Sequence, residues 1–429
     1  MTRKNTVSFY NQGCRLNQAE TALLERNFEA QGYVIVDFSV PADVVVVNTC
    51  TVTENGDTDT RRLVNKINRL NPKAKIALVG CQAQILKDQL LKLPNVQWVV
   101  GNALKMNLST YVNETTAESA PLVAVPKIEK GAFTIQEVGI DTHHTRANLK
   151  IQDGCDFYCS FCVIPFARGP ARSRDFDNIL SEAHHLTQAG HQELILTGIN
   201  IGTYENQEKS LLDVVTALET LPKLKRLRIS SIEPTTIPMN LIKKMAHSEV
   251  LCNYLHLPIQ SGSDTLLKAM ARKYTLTEYK QFFEDVYGLV PNIAIGTDVI
   301  VGFPGETDTL FDETEATMRE LPFAYFHVFS YSERKFARSH KLEGQVAPPT
   351  IAKRSAILRA LSERKRQVFY SHSLGTTQKV LFEQKKKGVW IGLTENFIRV
   401  QVQSDHDLTN RIVEVHLQNI LSHAVEGRL

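Results

Sequence analysis

Along the first hundred residues, short and mostly apolar runs alternate with longer stretches in which apolar and polar positions mix at helical spacing. The runs are Val7–Tyr10, Val44–Val47 and Ile76–Val79, and the mixed stretches include Ala19–Gln31 and Thr60–Leu70. A strand buried on both faces reads as a continuous apolar run, and helices crossing between such strands make the sheet parallel. Residues 1–110 are therefore read as a small parallel α/β domain. The polar run Asn113–Ser119 interrupts the pattern, and 111–146 reads as a linker. Six further strand candidates then recur with helices between them: Leu149–Gln152, Glu193–Thr197, Arg226–Ser230, Tyr254–Leu257, Ile295–Val301 and Tyr325–Phe329. Six βα units over 147–332 predict an incomplete (β/α) barrel, with chemistry at the C-terminal ends of its strands. An open doubly wound sheet is the alternative. Pro348-Pro349-Thr350 opens a helix to about Tyr370 inside a connecting segment, 333–373. The stretch 374–429 is rich in β-branched and aromatic residues and turns at Lys387-Gly388. That pattern predicts a small antiparallel β-barrel, of a class that often binds oligonucleotides.

Composition narrows the class of protein without naming a chemistry. With 429 residues, 43% of them hydrophobic, and a net charge of +3, the chain is neither disordered nor uniformly basic. Seven cysteines, odd in number and widely spaced, do not make a secreted disulfide framework. The first residues carry no continuous apolar segment, and no run approaches the roughly 20 residues that span a bilayer. The expectation is a soluble cytoplasmic protein, away from membranes, whose thiols serve ligation or chemistry.

The cysteines carry that chemistry. Cys155, Cys159 and Cys162 lie on one loop just past the first barrel strand. Three thiolates so spaced can hold three irons of a [4Fe-4S] cluster and leave the fourth open to a small chelating molecule. An isolated zinc site would want a fourth ligand, for which His143 and His144 are the nearest candidates. Cys14, Cys50 and Cys81 each follow one of the three N-terminal strands, at the edge of a parallel sheet where ligands gather. They form either a second three-cysteine site or three buried structural thiols. Cys252, at the start of an apolar strand, reads as a core residue.

The loop of Cys155 resembles the radical S-adenosylmethionine superfamily, whose pattern Cys-x3-Cys-x-aromatic-Cys is matched with Phe161 at the aromatic position. The resemblance implies that S-adenosylmethionine chelates the open iron and yields a 5′-deoxyadenosyl radical on reduction. With the second trio included, the chain is similar through nearly its whole length to the methylthiotransferase family. Supporting segments are Gly13–Glu20, Asn48–Thr53, Ile164–Arg174, Leu257–Ser263 and Gly302–Thr307. The segment Gly388–Phe397 resembles the RNA-binding TRAM domain. These likenesses imply two [4Fe-4S] clusters, S-adenosylmethionine, a tRNA partner and a reductant such as flavodoxin or ferredoxin, with the sulfur donor left unassigned. Lys150–Gly154 and Phe166–Arg174 resemble the branch that acts on carbon 2 of N6-threonylcarbamoyladenosine in tRNA. Isopentenyladenosine in tRNA and a ribosomal-protein aspartate are the family's other substrates, and an RNA-binding iron–sulfur protein without catalysis is the alternative outside it. One segment departs from the family. Where Arg-x-Gly-Thr is usual, this chain has Arg334-Lys335-Phe336-Ala337, and Phe does not readily replace a glycine at positive φ.

At the barrel strand tips, Gly198, Ser231, Glu233, Gln260 and Ser261, together with Phe161, are the candidate cofactor contacts. No side chain is assigned as a catalytic acid, base or nucleophile. Asp298 and His256 are read as internal hydrogen-bonding residues. The near-zero net charge conceals an uneven distribution: residues 332–372 hold ten Lys and Arg against three acids, a local +7 that leaves −4 for the rest. Helical spacing of about 100° per residue spreads these cations around the helix rather than along one stripe. Arg354, Arg364, Lys365 and Arg366 are candidate phosphate contacts beside the β-barrel, against the alternative of a solvated helix face. Trp390 and Phe397 are candidates for base stacking or for core packing.

Overall fold

The computed structural model describes residues 5–51, 54–116, 118–135 and 145–429, with the side chains of 54–57 outside that description. The chain begins with β1 (Thr6–Asn11), α1 (Arg15–Ala30), β2 (Val34–Ile35), β3 (Val44–Thr49) and α2 (Glu54–Leu70). It continues through β4 (Lys75–Gly80), α3 (Cys81–Leu86), β5 (Val96–Val100), α4 (Leu108–Glu114) and β6 (Leu122–Ala124). The six strands form one parallel sheet in the order β2-β1-β3-β4-β5-β6. Every residue of central β3 is buried, because successive side chains alternate between two covered faces. Val44 and Val46 pack with Leu24, Phe28 and Leu108 on one side, while Val45 and Val47 pack with Val64 and Ile67 on the other. Strand β6 lies inside the stretch that reads as a linker. Its three residues pair with β5, too short a run to stand out beside the polar segment before it.

The barrel follows with β7 (Ala147–Lys150), β8 (Gln152–Asp153), α5 (Ile164–Arg168), β9 (Arg172–Ser173), α6 (Phe176–Gln188) and β10 (Glu193–Thr197). A short hairpin of β11 (Glu205–Asn206) and β12 (Lys209–Ser210) precedes α7 (Leu211–Glu219), β13 (Arg226–Ile229), α8 (Met239–His247) and β14 (Tyr254–His256). Then come α9 (Asp264–Ala269), α10 (Leu276–Leu289), β15 (Ala294–Val301), α11 (Asp308–Glu320) and β16 (Tyr325–Ser330). Strands β13-β10-β7 and β14-β15-β16 are two parallel triplets. The bridges Leu227↔Leu251 and Ser231↔His256 join them, giving six strands in an arc that does not close. Local signals start the helices where tertiary packing needs them. At α10, for example, the Thr275 hydroxyl accepts from the Glu278 amide while the Glu278 carboxylate accepts from the Thr275 amide.

The prolines open α12 (Pro348–Ser371), which lies along β16. Last come β17 (Thr377–Lys386), β18 (Val389–Thr394), β19 (Arg399–Val402), β20 (Ile412–Ile420) and β21 (Val425–Arg428), a closed barrel in the order β17-β18-β19-β21-β20. Its pairs are antiparallel except β19 with β21. Lys387 (φ 50°) and Gly388 (φ 83°) supply the two left-handed residues of the β17–β18 turn. This β domain is fastened to the larger barrel through Arg226 and Arg228, whose guanidiniums donate to the carbonyls of Leu393, Thr394 and Glu395. Among the described residues no helix is long and apolar enough to cross a membrane.

Candidate functional site

The loop between β8 and α5 presents Cys155, Cys159 and Cys162. It can turn so tightly because Gly154 has φ 73°, where a Cβ would fall 1.9 Å from the Pro170 carbonyl oxygen. Tyr158 also takes a left-handed φ, 50°. Each sulfur meets a donor: the Phe157 amide at 3.4 Å from Cys155 Sγ, the Ile164 amide at 3.4 Å from Cys162 Sγ, and Arg272 Nη1 at 3.3 Å from Cys159 Sγ. Burial pushes the Cys155 thiol up to about 11 and the Cys162 thiol up to about 12. Such thiols become thiolates only when a cation replaces the proton. Among the described residues no three Cys, His, Asp or Glu side chains surround a single ion position. A cubane cluster spreads its ligands, one thiolate to each iron, so three thiols on one loop with donors to their sulfurs fit it. His143 and His144 lie outside the described residues.

The second trio is assembled from three elements. Cys14 is the N-cap of α1, Cys50 follows β3, and Cys81 opens α3 directly after β4. Gly13 (φ 106°) makes their approach possible, since a Cβ there would lie 2.8 Å from Cys50 Cβ. Asn17 ties two of the loops together, donating to the Gln12 and Thr49 carbonyls at 2.8 and 3.1 Å. Asn102 Nδ2 lies 3.7 Å from Cys81 Sγ and 2.7 Å from the Ala167 carbonyl oxygen. The Cys14 thiol opens to a cavity yet is surrounded by protein, and burial raises its pKa.

Between the two trios runs a buried ionic network that the sequence does not announce. Arg168 donates to both Glu20 oxygens (3.1 and 3.0 Å), to Asp153 (3.0 Å) and to Asn17 Oδ1 (2.6 Å). Lys150 Nζ bonds Glu20 at 2.7 Å and Asp153 at 2.8 Å, Lys105 pairs with Glu20, and Arg172 approaches Asp153 at 3.4 Å. Four cations thus surround two carboxylates. The surplus lies beside the thiols, and Cys81 and the carboxylates hold the Arg168 guanidinium well above its usual pKa. A cationic surplus is matched by an anionic thiolate cluster. The partners stand up to 151 positions apart in the chain, so no local pattern reveals them, although Lys150, Asp153 and Arg168 fall within the segments that carry the family resemblance.

The six cofactor candidates divide in the structure. Phe161 and Gln260 line a 180 Å³ cavity beside Cys162, together with Asp298 and Tyr331. Gln260 holds a left-handed φ of 68°, and its backbone bonds Asp298 and Ile300. Gly198 and Ser231 line a larger cavity of 770 Å³, into which Cys14 also opens. Glu233 is taken by Arg272, which bonds both its oxygens at 2.7 and 2.8 Å, so it orients the donor to Cys159. Ser261 is fully buried with its hydroxyl 3.0 Å from that of Thr314; it secures the strand tip and does not face a cavity. His256 Nε2 and Asp298 Oδ1 meet at 3.1 Å on the wall of the large cavity. Cys252 is buried in a small core cluster.

A second cavity of 520 Å³ shares Arg15, Arg146, Tyr325 and Phe397 with the first and reaches the β domain. Phe397 stands at this junction, 4.8 Å from Tyr254 and stacked on Tyr325. Arg366 lines the same passage. The other RNA candidates lie elsewhere. Arg354 is buried and paired with Glu306 (3.0 Å) and Asp308 (2.6 Å), because its side of α12 packs on the barrel. Lys365 donates to the Arg319 and Leu321 carbonyls, and Arg364 is exposed on a separate groove with it. Trp390 belongs to the β-barrel core, its indole donating to the Ser404 carbonyl. Arg354, Lys365 and Trp390 are thus structural in their contacts. Phe336 does not adopt a positive φ. It is exposed beside Phe166, with ring centroids 6.4 Å apart, so the loop keeps its course without glycine, and neighbouring Arg334 bonds Thr51 next to Cys50.

The two halves of this site coincide with two family models. Residues 6–101 match the uncharacterized protein family UPF0004, and residues 149–319 match the Radical SAM superfamily. The chain is 36% identical to the threonylcarbamoyladenosine tRNA methylthiotransferase MtaB of Bacillus subtilis, covering 96% of this chain and 93% of that protein. It is likewise 36% identical to the MtaB of Aquifex aeolicus, over 92% and 96% of the two chains. Among solved structures, the radical S-adenosylmethionine methyltransferase TsrM of Kitasatospora setae shares the fold, with a TM-score of 0.55 and 15% identity over 76% of this chain and 75% of that one. With its N-terminal sheet, open barrel and end-to-end likeness to these enzymes, the chain belongs to the MtaB-like radical S-adenosylmethionine methylthiotransferase family.

Proposed function

We propose that the protein adds a methylthio group to carbon 2 of N6-threonylcarbamoyladenosine, next to the anticodon in tRNA. The observation that carries this reading is the cavity that joins Cys14 of one trio to the strand tips beside the other and continues to the β domain. A base entering past Phe397 could reach both sets of thiols. Cys155, Cys159 and Cys162 would hold a [4Fe-4S] cluster, which would supply the electron for reductive cleavage of S-adenosylmethionine to a 5′-deoxyadenosyl radical. Cys14, Cys50 and Cys81 are the proposed ligands of a second cluster that handles sulfur.

The chain's own residues bind and orient. The small cavity of Phe161, Gln260 and Tyr331 beside Cys162 suits the adenine of S-adenosylmethionine. Gly198 and Ser231 line the floor on which its remaining parts would lie. Arg272 donates a hydrogen bond to the Cys159 sulfur and is itself aimed by Glu233. Arg366 and Phe397 serve the RNA at the passage. A cytoplasmic setting and a reductant such as flavodoxin or ferredoxin belong to the same reading. Nucleoside mass analysis of tRNA from cells with and without this chain tests it: the methylthio form of threonylcarbamoyladenosine should appear only when the protein is present. An unchanged profile would overturn the assignment.

A further inference from the structure

Arg15 immediately follows Cys14 as the first residue of α1, and its side chain lines both the 770 Å³ and the 520 Å³ cavities. Two more guanidiniums share the wall, and both are engaged. Arg228 gives Nε to Glu193 at 2.7 Å and its other nitrogens to the Glu395 and Thr394 carbonyls. Arg146 gives Nε to Glu383 at 2.7 Å, and its buried Nη1 lies 3.9 Å from the Glu193 carboxylate. Arg15 differs from both: among the described residues its guanidinium makes no hydrogen bond or ion pair. The carboxylates of the cavity wall are already held, Glu383 by Arg146 and Asp298 by His256.

An unpaired cation within a cavity costs free energy that a suitable anion would recover. The residue also sits at the amino end of a 16-residue helix with no acid in its first turn. There the helix dipole disfavours a cation and favours an anion. Helix stability therefore does not explain Arg15, whereas ligand binding does.

Resting on the function proposed above, the chemistry of that base supplies such an anion. A threonyl group joined through its nitrogen to the N6 carbamoyl keeps a free carboxylate, and an isopentenyl group carries no charge. We propose that Arg15 binds the carboxylate of the threonylcarbamoyl group and thereby selects the acidic modified adenosine over an apolar one. Placing this contact one residue from Cys14 brings the far end of the modification, and with it the base, to the sulfur-handling trio.

The test uses iron- and sulfide-reconstituted full-length protein and anticodon stem-loop RNAs that differ in one group: threonylcarbamoyladenosine as the free acid, the same nucleoside as its methyl ester, and isopentenyladenosine. Dissociation constants come from fluorescence anisotropy. The native protein should bind the acid about tenfold or more tightly than the ester, the range for a charge-assisted pair. Arg15→Gln should bring acid and ester within about twofold, and Arg15→Lys should restore part of the gap. An equal affinity of the native protein for acid and ester would overturn the proposal without any variant, as would an Arg15→Gln protein that keeps the native ratio. Methylthio formation on the acid RNA is scored separately. Its absence beside an intact acid preference would sink the proposed reaction and leave the carboxylate contact standing; its presence without that preference would do the reverse.

Discussion

Replacing Arg168 with Met should separate the role of the buried ionic network from that of the thiols. The guanidinium is fully buried and makes four hydrogen bonds, two to Glu20 and one each to Asp153 and Asn17. Removing one member of a buried ion pair costs about 3–5 kcal/mol when its partner is left alone. Here Glu20 keeps Lys105 and Lys150, and Asp153 keeps Lys150 and Arg172, so the lower end, about 3 kcal/mol, applies. At roughly 2–4 °C per kcal/mol for units of this size, Tm should fall by about 6–12 °C. Thermal unfolding followed by circular dichroism at a fixed scan rate reads this out. The same change removes a cation electrostatically coupled to Cys81, so iron bound at the N-terminal trio should fall while the Cys155 loop, whose sulfur donors are untouched, keeps its iron. Glu20 adds a pH signature. Its neighbours hold that carboxyl well below the usual carboxylate range, so pairing stabilises the fold at neutral pH. That contribution fades as pH drops below the unfolded value of about 4.3 and is lost through the lower folded one. With Arg168 gone the folded value rises, and acid unfolding should move to higher pH. A Tm shift under about 2 °C together with unchanged iron at both trios would refute the reasoning.

Further outcomes follow from particular contacts. Gly154→Ala puts a Cβ against the Pro170 carbonyl at a left-handed φ, and iron uptake by a protein whose N-terminal trio has been removed should collapse; native uptake would contradict the geometry. Trp390→Ala empties part of the β-barrel core and should cost about 3–5 kcal/mol of β-domain stability in denaturant titrations. Arg366→Ala, by contrast, should leave stability nearly unchanged and reduce the salt dependence of tRNA binding by about one ion. An unaltered salt slope would remove Arg366 from the RNA path.

The elements that were legible in the sequence are those whose surroundings are uniform. Val44–Val47 is covered on both faces and so reads as a plain apolar run, and the barrel strands likewise stand out between amphipathic helices. Cys155, Cys159 and Cys162 are legible because the chain itself sets their spacing. Cys14, Cys50 and Cys81 become visible only through the rule that parallel strands end at one edge. What was not legible depends on which side of an element is covered. Arg354 and Arg366 are equally basic on the same helix, yet one packs on Glu306 and the other faces the passage. Ser261 and Ser231 occupy similar strand tips, and only the second reaches a cavity. The network around Arg168 and the unpaired Arg15 are tertiary facts, made by residues that sequence spacing does not bring together.

The ionic network also bears on how the chain is made. The N-terminal sheet contributes Glu20 and Lys105, which neutralise one another, whereas the barrel contributes Lys150, Arg168 and Arg172 against Asp153 alone. The part that leaves the ribosome first can therefore bury its own charges and fold while synthesis continues. The part that follows emerges with two cations in excess, and docking onto the finished sheet gives Lys150 and Arg168 a second carboxylate, Glu20, while the net surplus stays beside the thiols. Synthesis order and ion pairing run in the same direction, so the barrel's cations meet a carboxylate already in place.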